Sequence, residues 1–215
     1  MKNYRIVFMV TAEFAVPTLE KLIKSEHSVI SIYSSPSKKA NRGMSLTHSP
    51  VSQTATKFKI DLHTPDNLKS SDELNRLKKL SPDIIVVIAY GLILPPEILT
   101  IPEFGCFNLH ASLLPKWRGA APIQRAMING DKKTGISIIK IDEGLDTGDI
   151  VLKKEIDIGD NDTQIDLENK LSKIGAECFT NFFNKLEKNE IFEKQDDSKS
   201  TYAKKILKSE SKLNW

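Results

Sequence analysis

The chain has 215 residues, 40% of them hydrophobic and 27% charged, which suits one good-sized domain with a substantial core, or one domain plus a tail. Its 31 basic against 28 acidic residues leave a surplus of +3, too mild to make nucleic-acid binding a property of the whole surface, though a local basic patch stays open. The apolar run Ile6–Val10 is too brief for a signal-peptide core, and Ile84–Leu94, interrupted by Tyr90 and Gly91, is too short to span a bilayer. A cytoplasmic protein with no membrane partner is therefore expected.

In chain order, Arg5–Val10 reads as a buried strand and Phe14–Ser25 as a helix. Ser28–Ser34 is a second strand, Ser71–Leu80 a helix, and Asp83–Ala89 a strand rich in Ile and Val. Cys106–His110 adds a further strand, and a helix follows from about Ala121 to Asn129. Gly135–Ile141 and Ile150–Ile156 then read as strands flanking a glycine-rich turn. Thr163-Gln164-Ile165-Asp166 is a capping box opening a long helix, whose inward face carries Leu167, Leu171, Ile174, Cys178, Phe182 and Leu186. After Asn189 the pattern dissolves into the polar stretch Glu193–Ser200, read as a linker or tail. Alternating strands and helices predict an α/β fold of Rossmann-like type, a mostly parallel sheet with helices on both faces. No dinucleotide fingerprint accompanies it: the first glycine is Gly43, so the turn after the first strand cannot hold GxGxxG.

The polar residues between Asn108 and Asp149 stand out from this apolar periodicity. Residues two apart on a strand share a face with Cα atoms about 6.6 Å apart, so Asn108 and His110 can converge on one small reacting group. Asn108 can donate an amide N–H to a developing oxyanion, and His110 suits proton transfer near neutral pH. Asp146, between Gly144 and Gly148, can orient the imidazole or relay a proton. Singly, each residue is as well explained as a structural hydrogen bonder or turn former. Cys106 lies about 13 Å from His110 along the strand, too far for a nucleophilic pair, and Ser112 has no GxSxG elbow around it. Neither cysteine belongs to a CxxC pair, so both are expected as buried thiols, and no metal-ligand spacing surrounds His110. What remains is acyl transfer to an incoming amine, without a covalent enzyme intermediate.

Asn108-x-His110, followed by Ser112-Leu113-Leu114-Pro115 and later by Asp146, resembles the folate-dependent formyltransferases. Trp117-Arg118-Gly119-Ala120-Ala121-Pro122-Ile123-Gln124, Gly144-Leu145-Asp146-Thr147-Gly148-Asp149, Phe14-Ala15-Val16-Pro17 and Ala89-Tyr90-Gly91-Leu92-Ile93-Leu94-Pro95 look like the members that act on methionyl-tRNA. The resemblance runs from Arg5 to about Ile206. It implies that 10-formyltetrahydrofolate is the cosubstrate, that no metal takes part, and that the acceptor is the amino group of initiator methionyl-tRNA, in translation initiation. It also implies that Asn108, His110 and Asp146 are catalytic, that Ser112, Leu113, Leu114 and Pro115 border the folate, and that Ile88–Leu92 lines the pterin pocket. Lys38, Lys39 and Arg42, on the loop Ser35–Pro50, are implied tRNA contacts, and basic residues there suit phosphate oxygens. The chain departs from the family at Val10 and Ala12, where Gly and Pro are usual, and at Ser37-Lys38-Lys39.

The expected organisation is a catalytic domain over residues 1–190, then 191–215 as a linker and the start of a missing C-terminal OB-like domain. Too few residues follow Thr201 to build a five-stranded barrel. A monomer is expected. The resemblance leaves two other readings open, a formyltransferase for a small amine such as a sugar nucleotide or glycinamide ribonucleotide, and a folate- or tRNA-binding module with little turnover.

Overall fold

The computed structural model describes residues 2–36, 38–40, 45–47, 49–188 and 190–211, with 38–40, 45–47 and 211 as backbone only. In chain order the strands are β1 (Arg5–Val10), β2 (Ser28–Tyr33), β3 (Lys38–Ala40), β4 (Ser45–Thr47), β5 (Leu62–His63), β6 (Ile84–Ile88), β7 (Gly105–His110), β8 (Arg118–Gly119), β9 (Lys133–Lys140), β10 (Ile150–Asp157) and β11 (Tyr202–Ala203). The α-helices are α1 (Val16–Ile23), α2 (Pro50–Phe58), α3 (Ser71–Leu80), α4 (Pro96–Leu99), α5 (Pro122–Ile128) and α6 (Gln164–Glu187).

Seven strands form one sheet in the order β10-β9-β7-β6-β1-β2-β5. Pairings from β5 through to β7 are parallel, while β9 runs antiparallel to both β7 and β10. The Rossmann-like expectation holds, with an antiparallel edge added. Strand periodicity identified β9 and β10 but carries no information about direction.

The period-2 alternation of strand side chains divides the core cleanly. Ile6, Phe8, Val10, Ile84, Val86, Ile88, Phe107 and Leu109 face one layer, where they meet Leu19 and Leu22 of α1 and Leu167, Phe179 and Phe182 of α6. Val7, Met9, Ile85, Val87 and Cys106 face the other, against Leu77 of α3 and Ile98 of α4. α6 begins as its sequence requires: Thr163 accepts from the Asp166 backbone N–H and the Asp166 side chain returns the bond. Its buried face is wider than the predicted stripe, adding Gly175, Phe179 and Phe183, because the helix lies across β9, β10 and α1 together.

The order of strands reverses between β1 and β6, since β1 leads outward to β2 and β5 and the chain then returns to build β6 and β7 on its other side. In such sheets the crevice opens at the carboxyl ends of the strands flanking the reversal. Asn108 and His110 end β7 beside it. Among the described residues, no helix is long and apolar enough to cross a membrane.

Candidate active site

A cavity of about 640 Å³ opens at that crevice, within the usual range for small-molecule sites. Its walls come from Ala12 and Phe14 after β1, Val87–Leu94 at the end of β6 and just beyond it, Asn108–Ala111 at the end of β7, and Asp142–Asp146 between β9 and β10. The segment Ile88–Leu92 thus forms part of the wall. Ala89 (φ +46°) and Gly91 (φ +87°) turn the backbone there, and the Thr11 hydroxyl donates to the Tyr90 carbonyl at 2.9 Å, tying the wall to the end of β1.

Three polar side chains meet at one edge of this cavity. The Asn108 amide Nδ2 donates to Asp146 Oδ1 at 3.1 Å, and His110 Nδ1 lies 3.5 Å from Asp146 Oδ2. His110 Nε2 is 2.8 Å from the Trp117 carbonyl. A carbonyl can only accept, so Nε2 carries a proton, and Nδ1 is the ring nitrogen that faces the Asp146 carboxylate. His110 and Asp146 are only 6% and 11% exposed, so a proton gained at Nδ1 creates an ion pair largely screened from water.

Backbone geometry sets these partners. Trp117 (φ +63°) and Gly119 (φ +113°) both adopt left-handed conformations, which aim the Trp117 carbonyl at His110 and the Gly119 N–H at Asp146 Oδ2, 2.9 Å away. The Trp117 indole N–H donates to Asp131 at 2.8 Å, and Lys116 pairs with the same carboxylate at 2.8 Å. Burial alone would raise the Asp131 pKa, but bonds from Lys116, Trp117 and Asn129 hold it below the ordinary value. Asp146 itself is left-handed (φ +55°). Gly148 has no room for a side chain, because a Cβ there would collide with the Lys140 carbonyl oxygen.

The structure therefore brings Asn108, His110 and Asp146 together and leaves Ser112–Pro115 out of the cavity wall. Ser112 is fully buried and its hydroxyl donates to the Lys116 carbonyl at 2.6 Å. Leu114 packs with Ile139 and Ile150, and Ser137 Oγ donates to the Ser112 carbonyl and accepts from the Leu114 N–H. As placed, these four residues brace the turn behind His110, because an apolar Leu114 gains more from the core than from the open crevice. Arg42 lies outside the described residues, as do the side chains of Lys38 and Lys39, whose backbone forms β3 paired with β4. Burial raises the Cys106 thiol to about 12, and Cys178 is buried as well. Among the described residues, no three His, Cys, Asp or Glu side chains gather as a metal-binding set.

Residues that sequence reasoning missed come from the polar tail. Glu193 and Ile150 exchange backbone bonds at 2.8 and 2.9 Å, and β11 pairs in parallel with β8. Between these anchors Gln195 bonds to Arg118 and to the loop of Asp146. Tyr202, of β11, lines the cavity. No periodicity or turn signal marks either residue in the sequence. The segment expected as a linker runs along the body and against the site.

Residues 4–182 match the family model described as Formyl transferase. The chain is 48% identical over 212 residues to a protein of Methylococcus capsulatus named methionyl-tRNA formyltransferase, covering 98% of this chain and 69% of that protein. A protein of the same name from Caldanaerobacter subterraneus is 47% identical, with 98% and 69% covered. Among solved structures, phosphoribosylglycinamide formyltransferase of Bacillus halodurans superposes with a TM-score of 0.72 at 22% identity, over 85% of this chain and 94% of that one. An N-formyltransferase of Helicobacter canadensis, solved with folinic acid and dTDP-3-aminofucose, gives 0.71 at 22% identity, over 93% and 70%. Those two share the fold, and the closer sequence matches extend through the polar tail. The chain belongs to the formyl transferase family.

Proposed function

We propose that the protein transfers a formyl group from 10-formyltetrahydrofolate to the α-amino group of initiator methionyl-tRNA. The observation that carries the reaction class is the convergence of Asn108 and His110 on Asp146 at the edge of a cavity with room for a bicyclic ring. Similarity at 48% identity, over nearly the whole chain, to a protein named for methionyl-tRNA supports the acceptor. When bound, the folate supplies the formyl carbon, and its ring system suits the largely apolar wall Val87–Leu94.

In this reading the chain contributes position, a hydrogen-bond donor and a base. Asn108 has two amide hydrogens, and Asp146 uses one. The second donates to the formyl oxygen as negative charge develops there, a contact whose loss typically costs about 100- to 1000-fold in rate. His110 Nδ1 takes the proton that the amine loses as its nitrogen bonds to the formyl carbon, and Asp146 stabilises the resulting imidazolium. Breaking the old carbon–nitrogen bond returns a proton to the departing nitrogen, so the base is regenerated. Lys38, Lys39 and Arg42 contact tRNA phosphates in this account, residues 1–190 form the catalytic domain, and 191–215 lead toward a tRNA-gripping domain.

His110→Ala tests the assignment. Turnover is expected to vanish while the protein still binds folate. Unchanged turnover in that variant would reject His110 as the base.

A further inference from the structure

Gln195 lies beyond residues 4–182, the span that the family model matches. Its carboxamide is nonetheless saturated by the segments that carry the site. Nε2 donates to the carbonyls of Asp146 and Gly148, each at 2.8 Å. Oε1 accepts from Arg118 Nε at 3.0 Å and from Arg118 Nη2 at 2.8 Å. The partners leave no ambiguity of orientation, since two carbonyls require the amide hydrogens and a guanidinium requires the oxygen. No other side chain of this length offers two donors on one arm and an acceptor on the other.

What the amide holds includes one of the left-handed turns of the site. Asp146 sits at φ +55°, where a residue with a side chain is uncommon, and its carboxylate is fixed by Asn108 and the Gly119 N–H. Arg118 adjoins Gly119, so Gln195 joins the backbone carrying Asp146 to the segment carrying its Gly119 partner. Anchors on both sides hold Gln195 in turn, the Glu193–Ile150 bridge before it and, after it, the bonds from Trp117 N to Thr201 Oγ1 and from Arg118 N to the Thr201 carbonyl. We propose that Gln195 is a positioning residue for formyl transfer, clamping the Asp146 loop against Arg118 so that the carboxylate stays in register with His110 and Asn108. The polar tail then completes the catalytic centre. This inference rests on the catalytic reading of Asp146.

Two variants separate the clamp from general stability. Q195E keeps an acceptor for Arg118 but sets its second carboxylate oxygen against the Asp146 and Gly148 carbonyls. Q195M is close in volume and removes all four bonds without adding charge. Each is assayed for kcat, for KM toward folate and for urea stability, alone and combined with D146N. The expected result is a kcat lowered by ~10²-fold, the order produced by small misplacements of reacting groups, with KM for folate little changed. In the D146N background, adding Q195M is expected to cost almost nothing, since a residue acting through Asp146 has nothing left to position. Wild-type kcat in Q195E and Q195M beside a crippled D146N would overturn the clamp alone. A Q195M cost that persists in full on top of D146N would also overturn it, as the mark of a merely structural role. Wild-type turnover in D146N would overturn the reading of Asp146, and the clamp with it.

Discussion

Replacing Asp146 with Asn removes one charge and leaves the shape almost intact, so its effect can be worked from the geometry. The carboxylate accepts from Asn108 Nδ2 and from Gly119 N, and faces His110 Nδ1 at 3.5 Å. An amide cannot satisfy all three. If its oxygen turns to Asn108, its NH2 meets the Gly119 N–H and occupies the imidazole lone pair. If it turns the other way, two amide donors collide at Asn108. In either orientation the imidazolium loses its counter-ion. Opposite charges 3.5 Å apart attract by ~5 kcal/mol at an effective dielectric of about 20. At about 1.4 kcal/mol per decade that corresponds to a fall of ~10³- to 10⁴-fold in rate, at the upper end of the range of ~10²- to 10⁴-fold assigned to a general base. Single-turnover formylation with saturating folate and methionyl-tRNA reads the chemical step, and folate titration checks that the cavity survives. A fall of less than about tenfold with folate binding intact would refute the counter-ion argument.

Other expectations follow from individual contacts. Gly148→Ala places a methyl group against the Lys140 carbonyl and is expected to cost about 1–3 kcal/mol in urea unfolding; an unchanged midpoint would show that the loop yields freely. Ser137→Ala leaves the Ser112 carbonyl and Leu114 N–H unpaired in a buried place and is expected to cost about 1–3 kcal/mol, measured the same way. Cys106, with its thiol raised to about 12, is expected to resist thiol reagents at pH 8 in the native protein and to react once unfolded. Because the unfolded thiol ionises first, stability attributable to Cys106 is complete below about pH 9 and declines between there and about pH 12, by ~1.4 kcal/mol per pH unit. An alkaline limb equally steep in Cys106→Ala would remove the thiol as its cause. Arg42→Ala is expected to raise KM for methionyl-tRNA and to reduce the salt slope of binding by about 1; an unaltered slope would rule out a phosphate contact there.

Local features of the fold were legible where the signal is local. α3 begins and ends where its Ser70 cap and apolar spacing place it, and α6 opens at its capping box. α2 escaped notice because five of its nine residues are polar (Ser52, Gln53, Thr54, Thr56 and Lys57) and only Val51 and Ala55 mark an inward apolar turn. Its Ser49 cap and Pro50 at the first turn were the available signs. The pairing of Asn108 with His110 could be read from strand periodicity, and their motif singled out Asp146. The Ser112–Pro115 motif was visible, but its position behind the wall depends on Leu114 finding Ile139 and Ile150, which spacing does not encode. Gln195 was hidden for the same reason: its partners lie 47 to 77 residues away in the chain, and the polar tail around it carries the composition of a linker.

The central claim concerns where the formyl group goes, and a competition measures it directly. Protein, 10-formyltetrahydrofolate labelled at the formyl carbon, methionyl-tRNA, glycinamide ribonucleotide and an aminosugar nucleotide are incubated together at low salt. The expected result is label on the methionyl-tRNA amino group, lost in His110→Ala. Label on either small amine with none on methionyl-tRNA, or folate binding with no labelled acceptor at all, would contradict it.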